Sequence, residues 1–184
     1  MPNLHTISTQ TLTLEVLNEI ILQHKTLNLS DEVIEKIQKC RNYLDQKMLT
    51  TSEPIYGINT GFGSLCNVKI DNQNLSKLQE NLVKSHACGT GDEVPSEIVK
   101  IMLFLKIQSL SYGHSGVQLQ TVERLIDFYN NDILPVIYTQ GSLGASGDLA
   151  PLAHLSLPLL GEGEVYFEGN RVPAKEVLQK FNWQ

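Results

Sequence analysis

The sequence predicts a mainly α-helical chain with short strands and one hairpin. Three observations carry that expectation. Val33, Ile37, Cys40 and Leu44 stand four, three and four residues apart, which sets them on one helical face. Val122, Leu125, Ile126 and Tyr129 repeat the pattern later in the chain. Strand-like patterning is confined to brief stretches, of which Val165-Tyr166-Phe167, Glu168-Gly169-Asn170 and Arg171-Val172 read as a small hairpin.

The elements follow in order. Residues 11–14 alternate polar and apolar side chains, as a short strand would, and a helix is expected from about 15 to 24. Ser30 suits a helix N-cap, because its hydroxyl can accept a free first-turn amide. Asp31 and Glu32 follow it, where the helix dipole favours anions. Ile55-Tyr56-Gly57-Ile58 opens a loop with further glycines at 61 and 63. Residues 75–83 read as a helix that ends near Ser85-His86, before the breaker Gly89-Thr90-Gly91. Pro95 opens a strongly apolar helix to about residue 110, containing Ile98, Val99, Ile101, Met102, Leu103, Phe104, Leu105 and Ile107. A helix apolar all round belongs inside a larger assembly, so its exposed face is expected to aggregate or to bind a partner. A helix is expected to begin near Asp148, with Pro151 tolerated in its first turn, and residues 174–181 form a last short one.

Composition bounds the function. With 184 residues, 41% hydrophobic and 18% charged, the chain can bury a single core. A net charge of −6 argues against nucleic acid or an anionic membrane as partner. No apolar run approaches a membrane span, and Met-Pro-Asn-Leu-His does not read as a signal peptide. Cys40, Cys66 and Cys88 are odd in number and form no CxxC pair, so buried or free thiols in a reducing compartment, by default the cytoplasm, are expected. No two histidines stand at i, i+4 spacing, and no metal is expected.

The stretch Gly141-Ser142-Leu143-Gly144-Ala145-Ser146-Gly147-Asp148-Leu149-Ala150-Pro151 carries the most chemistry. Read on its own, a glycine-rich turn before a helix more often binds an anion, or simply turns, than builds a cofactor. A phosphate loop needs Lys-Ser or Lys-Thr after its last glycine, and Asp148 stands there instead. The nucleophile elbow G-x-S-x-G fails as well, both here and at Gly113-His114-Ser115-Gly116-Val117. Ala145-Ser146-Gly147 can instead condense. The Gly147 amide nitrogen would close a five-membered ring on the Ala145 carbonyl carbon, the carbonyl oxygen leaving as one water, and Ser146 would lose its hydroxyl as a second. The product is a methylidene-imidazolone, a strong electrophile.

Residues 141–154 closely resemble the signature of the aromatic amino-acid ammonia-lyases. Two further segments match in the same order: Tyr56-Gly57-Ile58-Asn59-Thr60-Gly61-Phe62-Gly63 and Asn81-Leu82-Val83-Lys84-Ser85-His86-Ala87-Cys88-Gly89. The resemblance implies a self-formed 4-methylidene-imidazol-5-one (MIO) from Ala145, Ser146 and Gly147, supported by Gly144, Asp148 and Leu149. It implies Tyr56 as the base that removes the β-proton. A phenol titrates near about pH 10 in water, so that role needs donors or positive potential beside the oxygen. Ser85-His86 resembles the version of the selectivity position that takes L-histidine, giving urocanate; phenylalanine and tyrosine enzymes carry Phe-Leu or His-Leu there. His86 would read the substrate imidazole, with Ser85 and Asn59 beside it.

Each of these residues also has a plainer reading. A tyrosine in a glycine-rich loop packs, a helix-terminal histidine bonds a carbonyl, Asp148 caps its own helix, and Asn59 bonds backbone. His5, His24, His114 and His154 are assigned the plain reading only. The resemblance further implies a cytoplasmic homotetramer built on the N-terminal, MIO-bearing part of the family fold. A family member continues into a long central helical bundle with more active-site residues. None follows Gln184, so residues 1–184 are expected to form a single incomplete domain: a fragment, a truncated product or half of a split enzyme. A tyrosine or phenylalanine lyase, and a fragment without catalysis, are the alternatives.

Overall fold

The computed structural model describes residues 3–51 and 53–183; the expectations attached to the first two residues and to Gln184 lie outside the described residues. In chain order these form β1 (Leu4–Ile7), α1 (Leu14–Leu22), β2 (Thr26–Leu29), α2 (Asp31–Thr50), α3 (Leu75–His86), β3 (Thr90–Glu93), α4 (Ser96–Ser111), α5 (Leu119–Asn130), β4 (Leu134–Pro135), β5 (Tyr138–Gln140), α6 (Ala150–Ser156), β6 (Glu164–Phe167), β7 (Asn170–Pro173) and α7 (Ala174–Lys180). The mainly helical class holds. The chain divides into two compact units.

The first unit comprises residues 1–49, 95–134 and 166–170. β1 and β2 pair in parallel, Leu4 opposite Thr26 and Ile7 opposite Leu29, with α1 as the crossover. α2 starts as expected: Ser30 Oγ accepts from Val33 N at 3.4 Å and its carbonyl from Ile34 N at 3.1 Å. Val33 and Ile37 on its inner face are buried. α4 packs on α5, and their buried Val99, Leu103, Phe104, Ile107, Val122, Leu125, Phe128 and Tyr129 form most of this core with Ile7 and Leu27. The opposite face of α4 stays open, with Ile98 and Leu105 exposed.

The second unit comprises residues 50–94, 135–165 and 171–184. α3 packs on α6, and β3 pairs antiparallel with β5, Thr90 opposite Gln140 and Glu93 opposite Tyr138. The hairpin of β6 and β7, whose residues 166–170 belong to the first unit, turns through Glu168 (φ 51°) and Gly169 (φ 77°). Two left-handed residues in a two-residue loop match the right-handed twist of the strands they join.

Three local expectations are corrected. Residues 11–13 form no strand; Thr13 caps α1, its hydroxyl accepting from Val16 N at 3.3 Å, so the alternation there belongs to a cap. Gly89-Thr90-Gly91 is more than a breaker, since Thr90 opens β3, a strand of weak intrinsic propensity fixed by its distant partner β5. The helix after the reactive loop begins at Ala150 rather than Asp148.

Candidate active site

Residues 50–94 and 135–165 of the second unit contain every residue to which the sequence assigns a role in catalysis, substrate binding or cofactor formation. The loop at 141–149 is exposed along its whole length, and Leu143 is fully solvated. Within it, Gly147 N donates to the Gly144 carbonyl at 3.0 Å, which makes Ala145 and Ser146 the corners of a tight turn. Gly147 has φ +80°, in the left-handed region that side-chain-bearing residues avoid. Nothing lies within 4 Å of a Cβ built at Gly144 or Gly147, so no packing restrains the tripeptide.

Asp148 fixes the two flanks. One carboxylate oxygen accepts from Ser142 N at 3.0 Å and from Ala150 N at 3.1 Å. Gly141 is what admits that carboxylate: a Cβ there would overlap both of its oxygens. The Ala150 amide at the start of α6 is thereby bonded by the loop's own carboxylate.

A cavity of about 220 Å³ lies beside the loop, lined by Phe62, Gln79, Leu82, Val83 and His86 on one side and Leu149, Leu152, Ala153 and Ser156 on the other. His86 ends α3, and its Nδ1 donates to the Leu82 carbonyl at 2.6 Å, the ordinary bond of a helix-terminal histidine. In the neutral ring that bond places the proton on Nδ1 and leaves Nε2 as an acceptor. Ser85 Oγ stands 3.1 Å from both His86 Nδ1 and the Leu82 carbonyl, orienting the ring.

Tyr56 is exposed in the turn before this wall, 5.6 Å from the Phe62 ring; Phe62 in turn meets His86 edge-on at 5.6 Å. Phe62 thus joins the two sequence-named aromatics, although it was legible only as part of a motif. Asn59 is fully buried, and its side chain is spent on backbone: Oδ1 accepts from Ile55 N at 2.6 Å and Nδ2 donates to the Glu53 carbonyl at 3.2 Å. The structure therefore brings His86 and Leu149 to one cavity, links Tyr56 to it through Phe62, and turns Asn59 into the loop that carries Tyr56. His154 is the buried side chain that sequence reasoning passed over; Gly89 lies against its ring. Among the described residues, no three His, Cys, Asp or Glu side chains gather as a metal site, and no helix is long and apolar enough to cross a membrane.

The family model for aromatic amino acid lyases matches residues 12–184, and the chain belongs to that family. The histidine ammonia-lyase of Deinococcus radiodurans is 47% identical over 167 residues, which cover 91% of this chain and 32% of that protein. The crystal structure of histidine ammonia-lyase from Trypanosoma cruzi superposes with a TM-score of 0.85 at 32% identity, covering 98% of this chain and 34% of that one. The ergothionase of Treponema denticola superposes with a TM-score of 0.91 at 27% identity, over 98% of this chain and 36% of that one. The chain thus spans about a third of the length of the relatives it matches.

Proposed function

We propose that this chain supplies the reactive loop and one wall of the substrate pocket of an ammonia-lyase that converts L-histidine to urocanate in histidine catabolism. The observation that carries the reading is the turn at 144–147: an Ala-Ser-Gly tripeptide in unpacked backbone, its glycine at φ +80° and its flanks tied to one carboxylate. These residues fit a 4-methylidene-imidazol-5-one, since ring closure needs a glycine nitrogen free of side-chain crowding and a serine hydroxyl free to leave. When formed, the group supplies an electrophile that no ordinary side chain offers.

The remaining roles belong to the chain itself. Gly144 accepts the turn-closing bond, Asp148 holds both ends of the loop, and Leu149 carries the chain from the loop into the cavity wall. His86 Nε2 accepts the N–H of the substrate imidazole, with Ser85 steadying the ring. Tyr56 removes the β-proton from the open side of Phe62, and Asn59 serves the site by holding the turn that carries Tyr56. The exposed apolar side chains of α4 support assembly as a homotetramer, and the free thiols of Cys40, Cys66 and Cys88 support a cytoplasmic setting.

Urocanate absorbance and ammonia release, followed for L-histidine, L-phenylalanine and L-tyrosine with the lyase that carries this sequence, test the reading. L-Histidine is expected to be the substrate of the three. Replacing Ser85-His86 by Phe-Leu should shift preference to phenylalanine, and Tyr56→Phe should abolish turnover with the fold intact. Equal turnover of all three amino acids, or an unchanged preference after the swap, contradicts it.

A further inference from the structure

We propose that His154 is a positioning residue: its Nε2 accepts the backbone amide of Gly89 and so fixes the chain where it leaves α3, directly after Ser85-His86. The bond is 2.9 Å long and joins residues 65 apart in sequence. An amide can only donate, so the imidazole must present a lone pair, and the ring is neutral with its proton on Nδ1.

Three independent features build the contact. Gly89 is pressed on the ring: a Cβ there would come within 3.0 Å of Nε2, 3.1 Å of Cδ2 and 3.3 Å of Tyr138 Cβ. Tyr138 meets the imidazole edge-on at 5.2 Å, and its hydroxyl accepts from Arg171 at 3.1 Å, while Arg171 also pairs with Glu93 and Glu164. His154 itself follows Leu152 and Ala153, which line the cavity opposite His86. One short helix therefore forms one wall of the cavity and anchors the end of the helix that forms the other. That the end of α3 faces substrate rests on the function proposed above; the Gly89–His154 bond does not.

The bond is proton-sensitive. Burial holds the His154 imidazole below its usual 6.5, and no charged neighbour adds to that shift. Tyr138 from β5 is the titratable group in contact with the ring, Arg171 lies beyond its hydroxyl, and Cys88 precedes Gly89; Lys84 on α3 is paired with Glu80 and Glu162. Protonation would set an imidazolium N–H against the Gly89 N–H. The unfolded chain binds this proton near 6.5 and the folded chain resists it, so the contact is whole above 6.5 and lost as pH falls through the lowered folded value.

Nuclear magnetic resonance on the ¹⁵N-labelled 184-residue chain tests this directly. A scalar coupling across the hydrogen bond from Gly89 N to His154 Nε2 is expected at neutral pH, vanishing as His154 titrates. His154→Leu should speed Gly89 amide exchange by about fivefold or more and move the His86 ring resonances. His154→Gln, which offers an oxygen acceptor without a titrating group, should restore both and remove the pH dependence. Absence of the coupling at neutral pH, or Gly89 exchange and His86 resonances unmoved in His154→Leu, overturns the proposal. In the active lyase, His154→Leu should raise KM for L-histidine about tenfold with kcat within about twofold, and His154→Gln should rescue it. An unmoved KM overturns the positioning role even where the bond is observed. Wild-type inactivity toward L-histidine refutes the proposed function instead, and the resonance measurements still judge the bond.

Discussion

One oxygen of Asp148 accepts two backbone amides, Ser142 six residues behind it and Ala150 two ahead. A short carboxylate thus gathers both ends of a loop that is exposed along its length. The three glycines of the motif then separate by role. Gly141 makes room for the carboxylate, Gly147 supplies the left-handed backbone, and Gly144 has neither constraint. Gly141→Ala is therefore expected to displace Asp148 and speed amide exchange at Ser142 and Ala150 about fivefold, whereas Gly144→Ala should leave both within error. Equal effects from the two substitutions would show that the glycine spacing, not the seat of Asp148, shapes the loop. The glycine-rich loop was legible in the sequence; which glycine does what was not, because close approach is a property of residues distant along the chain. His154 was passed over for the same reason. Nothing near it in sequence signals Gly89, and an isolated histidine defaults to a packing role.

Among the elements, the helices and the β6–β7 hairpin were legible, and the strands that pair at a distance were not. Val122, Leu125, Ile126 and Tyr129 are all buried on one face of α5, as their spacing predicts. Leu4-His5-Thr6-Ile7 and Thr26-Leu27-Asn28-Leu29 are four residues each, too short for a period of two to stand out. Their pairing is instead pinned from α5. The Asn130 amide accepts from Leu27 N at 2.8 Å and donates to the Leu27 carbonyl at 2.9 Å, acting as a third strand one residue long. Leu27 is 3% exposed, so neither backbone group has water in reserve. Asn130→Ala should cost about 1–3 kcal/mol in urea unfolding, and Asn130→Asp, which keeps the acceptor and loses the donor, about half of that. A loss below about 0.5 kcal/mol for the alanine variant would mean that the strand pair holds itself.

In the whole molecule, one unit holds a packed helical core; the other holds the loop, the cavity and its anchors. The apolar surplus of the chain is visible at α4, where the sequence reads apolar on every side. The structure buries Val99, Leu103, Phe104, Ile107 and Leu110 while leaving Ile98 and Leu105 at 45% and 43% exposure. That outer stripe has the character of surface awaiting cover, in a chain that spans about a third of the length of its relatives. The family was legible at this scale because three ordered motifs all fall in the unit that builds the site. The central claim is that Ala145, Ser146 and Gly147 become a ring. Intact and peptide mass spectrometry of the purified chain, beside Ser146→Ala, reads it most directly. The account predicts that the peptide containing residues 145–147 has lost two waters and that the variant has not; a full, unmodified mass in the wild-type peptide would contradict it.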